Sequence, residues 1–226
     1  MRYSRKIICF LPFFLILMFC FVSAEETADG AEVTLEQVLQ SSSQKYEKLD
    51  GFSCRFRQLV EIPLLEKQKE FTGRLLYRNP DKLRLDYDEP AGGYILCDGG
   101  AFYVYLPDVD STTVMKTRLD NDPRNFLTEF FLEEARRDYT ADLLYSDGDF
   151  FSLEFVPKDS RSLLLRVNMK IDKKSNLVRS VSYVDPSGST TSYFLEGFTM
   201  NARPVEHFNF VLPEGLKLLD LTSNPE

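Results

Sequence analysis

The stretch GRLLYRNPDKLRLDYDEP, residues 73–90, constrains the fold more than any other, because its side chains alternate with a period of two. Leu75, Tyr77, Leu83, Leu85 and Tyr87 fall on one parity, and Arg74, Leu76, Arg78, Lys82, Arg84, Asp86 and Asp88 on the other. Successive residues of a strand point to opposite faces. The stretch therefore reads as two strands whose apolar row has to be buried against something. Asn79-Pro80-Asp81 separates them as a turn, since proline fixes its own backbone and removes a donor.

The same period recurs along most of the chain. Phe52, Cys54, Phe56 and Gln58 alternate with Ser53, Arg55, Arg57 and Leu59 in a strand that ends near Pro63. Tyr94–Cys97 and Phe102–Leu106 read as a hairpin around Asp98-Gly99-Gly100. Phe150–Val156 follows, and then LLLRVNMKID, with Leu163, Leu165, Val167, Met169 and Ile171 on one face. Val178–Val184, Ser192–Met200 and Phe208–Leu212 complete about ten strands.

Two segments carry a helical period instead. Thr34 and Gln37 have the form of a capping box ahead of Leu35, Val38, Leu39, Ser42, Tyr46 and Leu49. Asp122-Pro123 resembles an N-cap with proline at the first helical position. Phe126, Leu127, Phe130, Phe131 and Ala135 then cover one side of the helix that follows, and Glu133, Glu134, Arg136 and Arg137 the other. The fold expected is mainly β with α: one antiparallel sheet too wide to stay flat, curling into an incomplete β-barrel with helices on its concave face.

Residues 1–24 are set apart from that domain. Arg2, Arg5 and Lys6 precede an apolar run, Ile7–Val22, and Val22-Ser23-Ala24 resembles a small-residue cleavage site, so a signal peptide cleaved after Ala24 is expected. Pro12 interrupts the run, and Phe19 before Cys20 lacks the small side chain that an acylated N-terminus requires. The remaining residues, 25–226, suit a single domain. They hold 24 basic against 35 acidic residues, a net charge of −11. That balance argues against nucleic acid or an anionic membrane surface as the main partner, because either needs a basic face. Cys54 and Cys97 are the cysteines left after cleavage. They can pair in an oxidising compartment, but two cysteines in about 200 residues read first as small interior residues.

Catalytic patterns are missing from the sequence. His207 is its only histidine. A nucleophile pair with Cys54 has no spacing to support it, and no phosphate-cradling glycine loop, metal-ligand spacing or cofactor motif appears. The Asp108/Asp110 pair lacks the glycine and glutamate of a calcium loop. Asp86 and Asp88 share a strand face that reads as solvated. What is abundant is aromatic surface, 19 Phe and 11 Tyr without Trp. Either the helices fill the concave face or a ligand does.

The order of these fragments resembles a family. A capped helix, Phe56–Gln58, Gly73–Leu75, the Asn79-Pro80 turn, Leu83–Tyr87, Asp98-Gly99 and Tyr105–Pro107 follow one another as in the outer-membrane lipoprotein carrier family, LolA. Tyr183, Asp185 and Gly188, then Phe208–Gly215, continue the match. The resemblance implies a helical lid over an apolar cavity that binds the acyl chains of lipoproteins, without enzyme activity, cofactor or metal. It implies a monomeric periplasmic carrier that takes lipoproteins from an inner-membrane ATP-driven release complex to an outer-membrane acceptor. An envelope protein that binds or senses another lipid with the same fold is the alternative.

By position, Leu83, Leu85 and Ile95 match the family's cavity residues, and parity adds Leu75, Tyr77, Tyr87, Phe102 and Val104. The implied lid is Phe126, Leu127, Phe130 and Phe131, with the N-terminal helix as a further part. In family members an arginine before the turn proline latches the lid. Here Asn79 holds that position, and Arg78, one residue earlier, points to the opposite face. A weaker latch and a more open cavity are expected.

Overall fold

The computed structural model describes residues 33–107, 109–118, 138–201 and 208–222. The expected signal peptide, the aromatic helix carrying Phe126, Leu127, Phe130 and Phe131, and His207 lie outside these residues.

Helix α1 (Leu35–Glu47) starts where the capping box placed it. The Gln37 N–H donates to the Thr34 hydroxyl at 3.3 Å, and the Thr34 N–H donates to Gln37 Oε1 at 2.9 Å. Val38, Leu39, Ser42 and Tyr46 form its buried stripe. Twelve strands follow: β1 (Gly51–Ile62), β2 (Lys67–Arg78), β3 (Lys82–Tyr87), β4 (Tyr94–Cys97), β5 (Phe102–Tyr105), β6 (Thr113–Thr117), β7 (Tyr139–Asp147), β8 (Phe150–Pro157), β9 (Arg166–Asp172), β10 (Val178–Val184), β11 (Thr190–Met200) and β12 (Lys217–Asp220).

They form one open, curled sheet in the order β12-β6-β5-β4-β3-β2-β1-β11-β10-β9-β8-β7. Two antiparallel meanders, β1–β6 and β7–β11, are joined in the middle by β1 pairing with β11. The concave face holds the main apolar cluster, which takes residues from β1 to β5 and from β8 to β11 together with Val38, Leu39 and Tyr46 of α1. One helix of 13 residues, about 20 Å long, reaches both the β2–β3 turn and β7. The curl of the sheet brings those strands within its reach.

Polar contacts fix α1 on this face. The Ser42 hydroxyl donates to the Asn176 carbonyl at 3.1 Å, and the Val178 N–H donates to the Tyr46 hydroxyl at 3.0 Å. The Tyr46 ring then packs on Phe52, which also meets Tyr77 and Phe198.

Several expectations are corrected. Among the described residues the sheet has twelve strands rather than about ten, because β6 falls between Pro107 and Tyr139, where the strand pattern is interrupted, β7 precedes Phe150, where strands were expected to resume, and β12 lies beyond the last expected strand. Phe208–Leu212 is not a strand. Phe208 instead packs on the convex face with Leu76, Tyr94, Leu96, Ala101, Tyr103 and Val114 in a second cluster, and Phe210 stacks on Tyr103 at 3.9 Å. Leu76, on the polar parity of its strand, is buried for that reason. The strand in LLLRVNMKID starts only at Arg166. Ahead of it the Leu164 N–H donates to the Ser162 hydroxyl, so Leu164 turns into the core while Leu163 and Leu165 face solvent.

Cys54 and Cys97 are free and buried. Three strand spacings separate β1 from β4, about 14 Å, twice the reach of a disulfide.

If α1 is held as described, Tyr46→Phe leaves the buried Val178 N–H without its acceptor and lowers unfolding stability by about 1–3 kcal/mol. Urea unfolding followed by circular dichroism measures it. Thr34→Ala at the cap should cost about 1 kcal/mol in the same experiment.

Candidate functional site

The registers of β1 to β5 set the candidate residues in two ladders across the concave face. Cys54 opposes Leu75, Leu75 opposes Leu85, Leu85 opposes Ile95, and Ile95 opposes Val104. One step along, Phe52 opposes Tyr77, Tyr77 opposes Leu83, Leu83 opposes Cys97, and Cys97 opposes Phe102. Tyr87 begins a third rung opposite Gly73, which in turn opposes Phe56. All eight of Leu75, Tyr77, Leu83, Leu85, Tyr87, Ile95, Phe102 and Val104 are buried in the same cluster. Cross-strand neighbours on one face lie about 5 Å apart, so the ladders make a continuous apolar wall.

Two fragments of the sequence acquire reasons here. The Phe56 ring lies over Gly73, where a Cβ would stand 2.5 Å from the ring and against the Asp86 carbonyl. Only glycine leaves room for that aromatic to lie flat on the wall. Gln58 supplies the Oε1 that accepts the Tyr87 hydroxyl at 2.9 Å, a buried polar pair among Phe56, Phe71 and Tyr193. The spacing showed Gln58 on the inner parity, but nothing local to it named Tyr87 as its partner.

Asn79, the position of the expected latch, engages α1. Its Nδ2 donates to the Glu47 carbonyl at 3.4 Å, and its backbone N–H to the Asp50 carbonyl at 3.1 Å. Arg78 follows Tyr77 onto the opposite parity. Its cross-strand partner there is Lys82.

On the convex face, charged groups from β1 to β3 pair with one another, Arg57 with Glu70 among them. Asp86 accepts from Arg84 at 2.8 Å. Asp88 accepts from Arg55 and from the Thr72 hydroxyl, and these bonds hold its carboxyl below the usual range. Neither carboxylate faces the apolar wall. A shallow depression lined by Asp98, Tyr103, Lys116, Arg118 and Thr222 also lies away from it, on the Tyr103 side of the sheet. Burial pushes the Cys54 thiol up to about 12, only weakly opposed by Arg179, so the thiolate that a nucleophile requires is disfavoured at neutral pH. The Tyr46 and Tyr77 hydroxyls are raised well above their ordinary value by the same desolvation.

Comparison with known proteins places this architecture. The family model described as outer membrane lipoprotein carrier protein LolA matches residues 47–211, and the chain belongs to that family. An outer-membrane lipoprotein carrier protein from Histophilus somni (strain 2336) is 23% identical over 192 residues, covering 84% of this chain and 91% of the relative. The protein of the same name from Methylobacillus flagellatus is 28% identical over 192 residues, covering 83% and 87%. An uncharacterized conserved protein from Thermus thermophilus shares the fold with a TM-score of 0.52 at 9% identity, over 82% of this chain and 98% of its own.

The buried thiol gives a pH dependence with a definite sign. Unfolded Cys54 loses its proton near pH 9 and folded Cys54 near 12. Between those values the unfolded state binds fewer protons, so stability falls as pH rises. At pH 10.5 the loss from Cys54 should approach about 2 kcal/mol. Denaturation midpoints at pH 8 and pH 10.5 measure it, and Cys54→Ala should shrink the difference. A thiol reagent at pH 8 should titrate both cysteines only after unfolding.

Proposed function

We propose that this chain is a periplasmic carrier that lays the acyl chains of lipoproteins against its concave wall. It takes them from an ATP-driven release complex in the inner membrane and yields them to an acceptor at the outer membrane. The observation that carries the reading is the continuous wall itself, two ladders of aliphatic and aromatic side chains across five strands, against which α1 brings Val38, Leu39 and Tyr46, with Leu35 partly buried beside them. Membership of the family supports it. No chemistry on the cargo is part of the proposal.

The magnitudes suit a carrier. Exposing a 16-carbon chain to water costs on the order of 12 kcal/mol, so lipoprotein tails cannot cross an aqueous compartment bare. Undocking Val38, Leu39 and Tyr46 from the wall costs about 5–9 kcal/mol at 1.5–3 kcal/mol per buried side chain. An incoming chain offsets that cost. α1, tied to the sheet by side-chain hydrogen bonds at Ser42, Tyr46 and Asn79 that also open on undocking, serves as a displaceable cover. Both states then lie within a few kcal/mol, and reversible loading requires that.

Inner-membrane vesicles that carry a lipoprotein and the release complex test the function. With ATP, the wild-type chain should bring lipoprotein into the soluble fraction. A Leu85→Asp variant with an unchanged circular dichroism spectrum should release at least tenfold less, because a carboxylate in the wall is costly to bury beside hydrocarbon. Failure of the wild type to release any lipoprotein would contradict the proposal, as would full activity of folded Leu85→Asp.

A further inference from the structure

Strand β2 extends beyond its neighbour β3, whereas β1 stays paired with β11 as far as Glu61. β3 ends at Tyr87, opposite Gly73, so Lys67–Thr72 has no partner from β3, and β11 begins at Thr190, opposite Glu61. At about 3.3 Å per residue, the six residues of β2 overhang β3 by about 20 Å. Ile62 and a 3₁₀ turn at Pro63–Leu65 form the apex. Leu64 is 80% exposed and Leu65 59%, whereas two consecutive leucines ordinarily find cover.

More apolar residues stand at the same end of the sheet. The strand directions put the β5–β6 connection, the approach to β9 and the approach to β12 beside the hairpin tip. These segments expose Val109, Leu163 with Leu165, and Val211. The turns at the opposite end, Asn79–Asp81, Asp98–Gly100 and Lys173–Asn176, are polar. The same end also carries polar turns, Asp185–Ser189 beside the apex and Asp159–Arg161 with its ion pair, so the apolar character is local to the exposed residues rather than general to that end.

We propose that this apex touches the lipid bilayer surface directly, with Pro63-Leu64-Leu65 seated among the headgroups at the acyl boundary. The form of the apex favours a bilayer over a folded protein partner. It is convex and narrow, and a fluid interface admits such a tip without a matching groove. The turn closes on itself: the Glu66 N–H donates to the Pro63 carbonyl at 3.1 Å, Ile62 pairs with Lys67, and Pro63 has no N–H to satisfy. Behind the apex runs a collar of both signs, with Glu61, Glu66 and Glu70 beside Lys67 and Lys69. A mixed collar on an acidic protein complements zwitterionic headgroups better than an anionic surface. The inner side of the overhang carries Val60 and Phe71, and Phe71 packs on Tyr87 at the edge of the apolar wall. On that inner parity Lys67 and Lys69 stand opposite Ile62 and Val60, so the path from the apex to the concave face is amphipathic.

The inference rests on the carrier reading for its purpose, and its test does not. The chain has no Trp, so Leu64→Trp in the mature protein is a single reporter at the apex. With cargo-free vesicles of phosphatidylcholine and phosphatidylethanolamine, its emission should shift to the blue and be quenched by brominated acyl chains. Leu144→Trp in β7 should show neither effect. Leu64→Glu/Leu65→Glu, on an exposed turn, should leave the melting temperature unchanged and lower the vesicle-bound fraction roughly tenfold or more. Unchanged Leu64→Trp emission on adding vesicles overturns the proposal. So does a blue shift that appears without lipid and grows with protein concentration, which would mark the apex as a contact between copies. Because no lipoprotein is present, failure here leaves the release assay unaffected, and failure of release leaves vesicle contact standing.

Discussion

Everything in this structure depends on the two-residue period of a strand laid on a sheet that curls. Alternation sends half of every strand to one face, and curling gathers those halves from β1 to β5 and β8 to β11 around a common space. Leu75, Leu85, Ile95 and Val104 meet because hydrogen-bond register brings them opposite one another, and no short-range feature of any one strand does so. A slip of one residue in β3 would replace Leu83, Leu85 and Tyr87 on that face with Arg84 and Asp86, which fixes the pairing of its neighbours.

The wall was legible in the sequence because its signal is local. Every residue assigned to it by parity is buried in one cluster, and the turns at Asn79-Pro80 and Asp98-Gly99 bound the strands as expected. The second apolar cluster was not legible. Leu76 breaks the polar parity of β2 for the sake of Phe208, 132 positions away, and no window of sequence contains both. β12 escaped because its pairing with β6 is parallel and its four residues alternate weakly. Leu163 and Leu165 had the right parity, yet a hydroxyl bond from Ser162 shifted the phase before the strand began. Local hydrogen bonding overrode periodicity there.

The site was legible in part. Asn79 was singled out as the departure from the family's latch, and its side chain reaches the Glu47 carbonyl of α1, while the helix expected as the lid lies outside the described residues. Gln58, with its bond to the Tyr87 hydroxyl, had no such signal. A polar residue on an apolar parity marks either a strand end or a buried partner, and only the fold distinguishes the two. The exposed leucines at the β1–β2 apex carry the opposite lesson. They lay in plain sight as a turn, and their meaning came from how far β2 outruns β3.

On the proposed reading, a displaceable α1, a long apolar wall and an exposed leucine apex serve one requirement, that hydrocarbon be gripped in water and given up at a membrane. Native mass spectrometry of the mature chain, purified gently from its own envelope, measures whether that grip exists. The account calls for a complex heavier by the mass of a triacylated lipoprotein and dissociated by detergent. A bare chain in every preparation, or a polar ligand that detergent leaves in place, would contradict it.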